Sequence, residues 1–251
     1  MSTAQGGSLK SQLGLPNNKV DRLSCVEGKP ALDGAARRGG RPSPEQARQI
    51  TVRIIEEAAN LFLSYGFEPT SIDEIAAKAG VSKRTFYTRF TSKEELFAAV
   101  MQYRVESHLK SIERLGQHSG TLQEDLYEIG CAVWEIATRP EAIALDRIIS
   151  AEARSFPELA LAFYGIAQAR ICELVSDIFN AATEKQEILG RDPDFLAEQF
   201  IFSVVSGPLR KVVLGVEASP SGQDLRVQIA RRVDLFMQGC LGFSSDVAAI
   251  D

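Results

Sequence analysis

The sequence predicts an all-α chain in two parts, a small N-terminal domain of three helices and a larger helical C-terminal domain. Three observations lead there. Beyond residue 43, apolar side chains recur at the three- and four-residue spacing that puts them on one face of a helix. No stretch alternates apolar and polar residues as a half-buried strand would, and no Asn-Gly hairpin turn occurs. Pro140, Pro157 and Pro193 fall at the boundaries of the periodic runs, where a residue lacking an N–H starts or stops a helix. At 251 residues with 45% apolar and 24% charged side chains, the chain is long enough to bury a real core.

Residues 1–36 are rich in Gly, Ser, Asn, Lys and Pro and have no sustained period, so a disordered extension is expected. Arg37, Arg38 and Arg41 then make a short basic arm, suited to a phosphate or an adjacent minor groove, or simply to solvent as a basic linker. Ser43 with Pro44 behind it starts the first helix, and Ile50, Ile54, Ala58, Leu61 and Phe62 give it a buried stripe up to Gly66. Ser71 and Glu74 form a capping box, so a second helix begins near Ile72 and runs to Gly80, whose freedom at positive φ ends it. Ser82 caps a third helix over 83–90 that buries Phe86 and Phe90. Ser92 and Glu95 repeat the capping pattern, and a longer helix from Lys93 carries Leu96, Phe97, Val100 and Met101 toward residue 115, stopping at Gly116 and Gly120. Helices follow over 121–138, 140–154, 157–186, 193–214 and 222–242.

Two short helices joined by a tight Gly turn are the helix-turn-helix arrangement, whose second helix enters the DNA major groove. Here that helix turns Lys83, Arg84, Thr85, Tyr87, Thr88 and Arg89 outward, a face with donors and no acid. Lys83, Arg84, Thr85, Tyr87 and Arg89 are expected to read the duplex, with Thr70, Ser71, Tyr87 and Lys93 on phosphates and Arg41 reaching from the arm. The net charge of −5 argues against nucleic acid only until its distribution is seen. Residues 37–93 carry a net +4 and residues 94–251 a net −10. A local basic face is what phosphates respond to.

The run 50–97, and above all TSIDEIAAKAGVSKRTFYTRFTSKEELF, resembles the DNA-binding domain of TetR/AcrR-type transcriptional regulators. The resemblance rests on Tyr65-Gly66-Phe67 at the end of the first helix, the Ile-Ala-x-x-Ala-Gly-Val-Ser turn and the Phe-Tyr-x-x-Phe-x-x-Lys signature at 86–93. It departs from the pattern at Arg84, where the family often has a small residue; a guanidinium there can pair bidentately with guanine. DRIISAEARSFPELALAFY is similar to the ligand-binding half of one subgroup. After the extension over 1–36, the resemblance implies a DNA-binding domain (37–97) and a ligand-binding and dimerisation domain (98–251). It also implies a cytoplasmic homodimer that binds a palindromic double-stranded operator as a repressor and is released by a small apolar effector.

In the C-terminal domain Trp134, Ile143, Phe163 and Phe202 are candidate pocket-lining residues, though core packing is the favoured explanation for each. Arg147 would imply an anionic ligand if buried, whereas ordinary helix ion pairs account for it if exposed. Two apolar stripes, Leu196, Phe200, Val204, Val205 and Val212 on one helix and Leu225, Ile229, Val233, Phe236 and Met237 on the next, are candidates for a four-helix dimer seam. A catalytic role is not expected: no nucleophile elbow, phosphate-cradling Gly loop or His-Glu-x-x-His is present. Nor is a metal or cofactor, since His108 and His118 are isolated and Cys25, Cys131, Cys172 and Cys240 are widely spaced. No apolar run of the sequence suggests a membrane partner. The competing reading is a DNA-binding structural or assembly protein whose C-terminal domain only dimerises or docks a partner.

Overall fold

A computed structural model describes residues 43–113, 120–188 and 192–242, and these contain helices and turns with no strand. Residues 1–36, where an extension is expected, and the arm residues Arg37, Arg38 and Arg41 lie outside the described residues. The described residues fall into two compact units. One comprises residues up to Ser107 together with Glu152–Ala162, and the other the remainder. The first unit thus extends past residue 97 and takes in a segment that the sequence assigns to the C-terminal domain.

In the first unit, α1 (Pro44–Tyr65) starts at Ser43, whose hydroxyl accepts from the Gln46 amide while the Gln46 side chain accepts from the Ser43 amide. α2 (Ile72–Lys78) has the same reciprocal cap between Ser71 and Glu74. Its end is a Schellman turn: Gly80 sits at φ +63°, its N–H donates to Ala77 O, and the Val81 N–H donates to Ala76 O. α3 (Lys83–Tyr87) is shorter than the 83–90 expected, because Arg89 and Phe90 both donate to the Phe86 carbonyl in a closing turn. Phe86 and Phe90 are buried all the same. α4 (Lys93–Glu113) follows; Ser92 Oγ accepts from the Glu95 amide, but the Glu95 carboxylate reaches back to the amide and hydroxyl of Thr91 instead of Ser92. Ile54, Ile55, Phe62, Phe67, Ile75, Phe86, Leu96 and Phe97 are fully buried and make the core against which α2 and α3 rest.

In the second unit, α5 (Leu122–Ala137), capped by Thr121 and Glu124, packs on α8 (Ala169–Glu184) and on α11 (Gly222–Gly242). α6 (Pro140–Glu152) and α7 (Pro157–Ala162) lead to a π-helical turn, Phe163–Gln168, that runs directly into α8. α9 (Pro193–Phe200) likewise passes through a π turn, Ile201–Ser206, into α10 (Gly207–Val213). Pro208 explains the second π turn. It has no N–H to give to the Val204 carbonyl and its ring crowds that oxygen, so the turn widens, Gly207 donates five residues back to Phe202, and the Arg232 side chain donates to Val204 O at 3.3 Å.

Both expected dimer stripes face the protomer's own core: Leu196, Phe200, Val204, Val205 and Val212, like Leu225, Ile229, Val233 and Met237, are buried. The exposed apolar residues on these helices are others, Phe195, Phe202, Val227 and Leu235. One helical run, Pro157–Glu184, is long and apolar enough by composition to cross a bilayer, which the sequence reading did not anticipate. Within it, Val175, Ile178, Phe179 and Ala182 of α8 are buried where α8 packs on α5 and α9. Burial pushes the thiols of Cys131 and Cys172 up, away from reactive thiolate character.

Candidate nucleic-acid interface

The recognition surface is built on two capped helix starts. At α2, the Ser71 amide and hydroxyl both donate to one Glu74 carboxylate oxygen, at 3.0 and 2.9 Å, which holds the Glu74 carboxyl below the usual carboxylate range. At α3, Ser82 Oγ accepts from the Thr85 amide at 3.1 Å and lies 2.8 Å from the Thr85 hydroxyl. The five residues of α3 are too few to hold themselves. The cap, the Schellman turn before them and the burial of Phe86 fix them instead.

From this support Lys83, Arg84, Tyr87 and Thr88 are exposed, with Tyr87 48% accessible although its ring stacks edge-on against Phe86. Ser71 is exposed as well, while Thr85 is half-buried. Lys83 is paired across the turn with Asp73, 2.9 Å from the carboxylate; the hydrogen bond, and after it the charge, raises the ammonium's pKa. Asp73 was not singled out by sequence reasoning, and ten residues between two helices leave no periodic signal for such a pair. Arg89 is half-buried, and its Nε is enclosed with no hydrogen-bond partner, a donor still unsatisfied in the free protein.

In the free protein, two residues expected on phosphates are engaged elsewhere. Thr70 is only 2% exposed and its hydroxyl donates to Gly66 O at 2.8 Å, closing the turn after α1. Lys93 does not project toward solvent. Its ammonium donates to the carbonyls of Phe67, Glu68 and Thr70 at 2.8, 3.0 and 3.0 Å and lies 4.4 Å from the centre of the Phe67 ring. Since an ammonium has three hydrogens, all its donors are engaged. Burial pulls its pKa down. A sequence motif cannot reveal this, because the partners are backbone carbonyls that every residue carries.

The five candidate ligand residues do not share one environment. Trp134 is fully buried, donates its indole N–H to Ser219 Oγ at 3.3 Å and has the Arg232 guanidinium 5.5 Å from its ring centre. Ile143 and Phe163 are half-buried, and Phe163 meets Tyr164 edge-on. Arg147 and Phe202 are exposed, so the burial that would have made Arg147 imply an anionic ligand is absent; its Nε donates to Val213 O at 2.7 Å.

Comparison with known proteins bears on the same two regions. The profile of bacterial regulatory proteins of the tetR family matches residues 54–100, and that of the AefR-like transcriptional repressor C-terminal domain matches residues 124–239. The transcriptional activator FasR of Mycolicibacterium smegmatis is 37% identical over 82 residues, covering 32% of this chain and 36% of that protein. The regulator TcmR of Streptomyces glaucescens is 36% identical over 66 residues, covering 26% of this chain and 29% of that protein. These matches thus span about a third of those curated relatives' length. Among solved structures, the flavonoid-responsive regulator FrrA superposes with a TM-score of 0.66 at 29% identity, covering 76% of this chain and 97% of that one. A TetR-family regulator from Mesorhizobium loti MAFF303099 gives 0.67 at 25% identity, covering 77% and 98%.

Proposed function

The chain belongs to the TetR family of transcriptional regulators, and from that premise we propose that it is a ligand-responsive, sequence-specific regulator that binds a palindromic operator as a homodimer in the cytoplasm. The observation that carries the reading is the exposed face of α3, where Lys83, Arg84, Tyr87 and Thr88 stand on a helix fixed by its cap and its buried Phe86. Arg84 is the base-reading residue, while Ser71 and Tyr87 take phosphates; Arg89 gains on DNA the partner its enclosed Nε lacks. Thr70 and Lys93 hold the loop behind that face. The test is a genomic footprint of the full chain followed by anisotropy on the recovered duplex. A recovered two-fold sequence bound in preference to a scrambled one supports the reading, and equal affinity for both contradicts it.

The effector is a small, largely apolar or aromatic molecule taken up by the second unit. Support comes from the flavonoid response in the name of FrrA and from the match of the C-terminal region to a repressor domain. Repression is the direction favoured by that match, and the activator FasR supplies the alternative sign. Titration of the DNA complex with a set of flavonoids and other apolar compounds checks this. If none of them shifts operator affinity, the reading of a DNA-binding assembly protein with a merely dimerising C-terminal unit takes its place.

A further inference from the structure

We propose that Lys93 and Phe156 are positioning residues for DNA binding, which together clamp the 67–70 loop leading into the helix-turn-helix, so that the segment Glu152–Ala162 sets how firmly α2 and α3 are presented. The inference rests on the DNA-binding reading above and adds to it the place where that reading is controlled. Its centre is Phe67, fully buried, whose ring meets four groups: Phe62 at 5.4 Å, Phe97 at 5.6 Å, Phe156 at 5.0 Å edge-on, and the Lys93 ammonium at 4.4 Å. Lys93 simultaneously ties down the carbonyls of Phe67, Glu68 and Thr70, and Thr70 closes back on Gly66. The residue after this loop is Ser71, the cap of α2. A loop fixed at three carbonyls and one ring leaves α2 one way to start.

Phe156 differs from the other members of the cluster in where its chain goes. Phe62, Phe97 and Lys93 belong to the DNA-binding unit throughout, whereas Glu152–Ala162 is an excursion whose neighbours on both sides, Ala151 and Phe163, belong to the other unit. One helical turn, with the Phe156 amide donating to Glu152 O at 2.8 Å, links Phe156 to Glu152, a carboxylate whose charge acts on Lys93. At its far end the excursion meets the π turn that begins at Phe163, a helical segment of the kind found frequently at functional sites. Whatever shifts α6 or α8 therefore has a covalent path to the ring that seats the loop, and withdrawing Phe156 would loosen the 67–70 loop without touching any DNA-facing side chain.

The experiment uses the full chain and a duplex that the parent protein selects from random DNA, with a scrambled duplex as the reference, over about 50 to 200 mM salt. Phe156→Ala and Lys93→Ala are each expected to weaken binding to the selected duplex on the order of tenfold. Affinity for the scrambled duplex and the salt slope should stay at the parent's values. Because both act through one ring, the double variant should fall short of the product of the two losses. Amide exchange in Phe156→Ala should quicken over residues 66–71 while residues 54–62 stay protected. Should Phe156→Ala unfold the unit, Phe156→Leu, which keeps the bulk and loses the ring edge, is measured in the same way: reduced discrimination supports the clamp and parental discrimination overturns it. A Lys93→Ala variant that loses about 0.9 of slope and weakens both duplexes alike would show a phosphate contact and overturn it too. If the parent selects no sequence, the DNA-binding reading falls and the clamp with it; if it does and the variants match it, the clamp alone falls.

Discussion

Arg84 is an exposed guanidinium near the start of α3, and its neighbour Lys83 is held by Asp73. The two basic residues are therefore not equivalent. Arg84→Ala is expected to cost roughly 1 to 3 kcal/mol of operator binding and to relax preference at one base pair, measured by anisotropy against single-pair variants of the operator. Asp73→Asn should act in the opposite sense. It releases Lys83, so affinity for random DNA rises and its salt dependence steepens, which a titration at several salt concentrations would read out. Glu74 carries a pH dependence whose sign follows from its cap. The Ser71 amide, and after it the Ser71 hydroxyl, lowers the folded-state pKa of Glu74, so its contribution is present above the unfolded value and is lost as pH falls through the lowered one. Glu74→Gln keeps the cap and should flatten the acid limb of thermal stability below about pH 4.5, the ordinary value from which the shift is reckoned. Such caps were legible in the sequence because Ser and Glu three residues apart have one common use before an apolar run. The role of Lys93 was not, since a lysine at a helix start looks the same whether it meets a phosphate or three carbonyls.

Helix boundaries were the most legible feature at the scale of elements, for they are written in chemistry that cannot serve elsewhere: Pro44 at the head of α1, Pro193 at that of α9, Gly80 after α2. The π turn at Ile201–Ser206 was missed although its cause, Pro208, stands in the sequence; an apolar period running past a proline was read as one uninterrupted helix. Two glycines separate two kinds of constraint. At Gly80 a Cβ would meet nothing within 4 Å, yet φ is +63°, so Gly80→Ala should destabilise by about 1 to 2 kcal/mol through backbone strain alone. At Gly130 on α5 a Cβ would lie 3.1 Å from Ile229 and 3.6 Å from Val204, with a helical backbone that any residue adopts. Gly130→Ala should therefore cost about 1 to 3 kcal/mol by overpacking, and that cost should shrink in a chain where Ile229→Ala has removed the Cγ2 that the new methyl would meet. Urea unfolding of these variants distinguishes the cases: a strain effect at Gly80 is indifferent to Ile229.

Two half-sites on one face of DNA lie about 34 to 36 Å apart, so a recognition helix of five residues is useful only if a second copy is held at that spacing. The proposed homodimer needs a seam, and the burial pattern redirects where that seam is sought. The apolar stripes that look like an interface in the sequence are the ones closing the protomer's own core, because a helix with two apolar faces does not reveal which face its own unit claims. What remains for a partner is the other side of the last helices, with Phe195 57%, Phe202 46%, Val227 48% and Leu235 71% exposed. Apolar side chains so open on packed helices are the material of a homodimer core. Leu235→Glu should then shift the chain toward the monomeric mass in light scattering and weaken the operator complex, since each monomer would hold only one half-site. Its thermal stability as a monomer should hardly change, because Leu235 makes little of the protomer core. Val233→Glu, two residues earlier on the opposite, core-facing side and 1% exposed, should instead unfold the unit. A Leu235→Glu protein that remains dimeric and binds operator as before would move the seam away from α11.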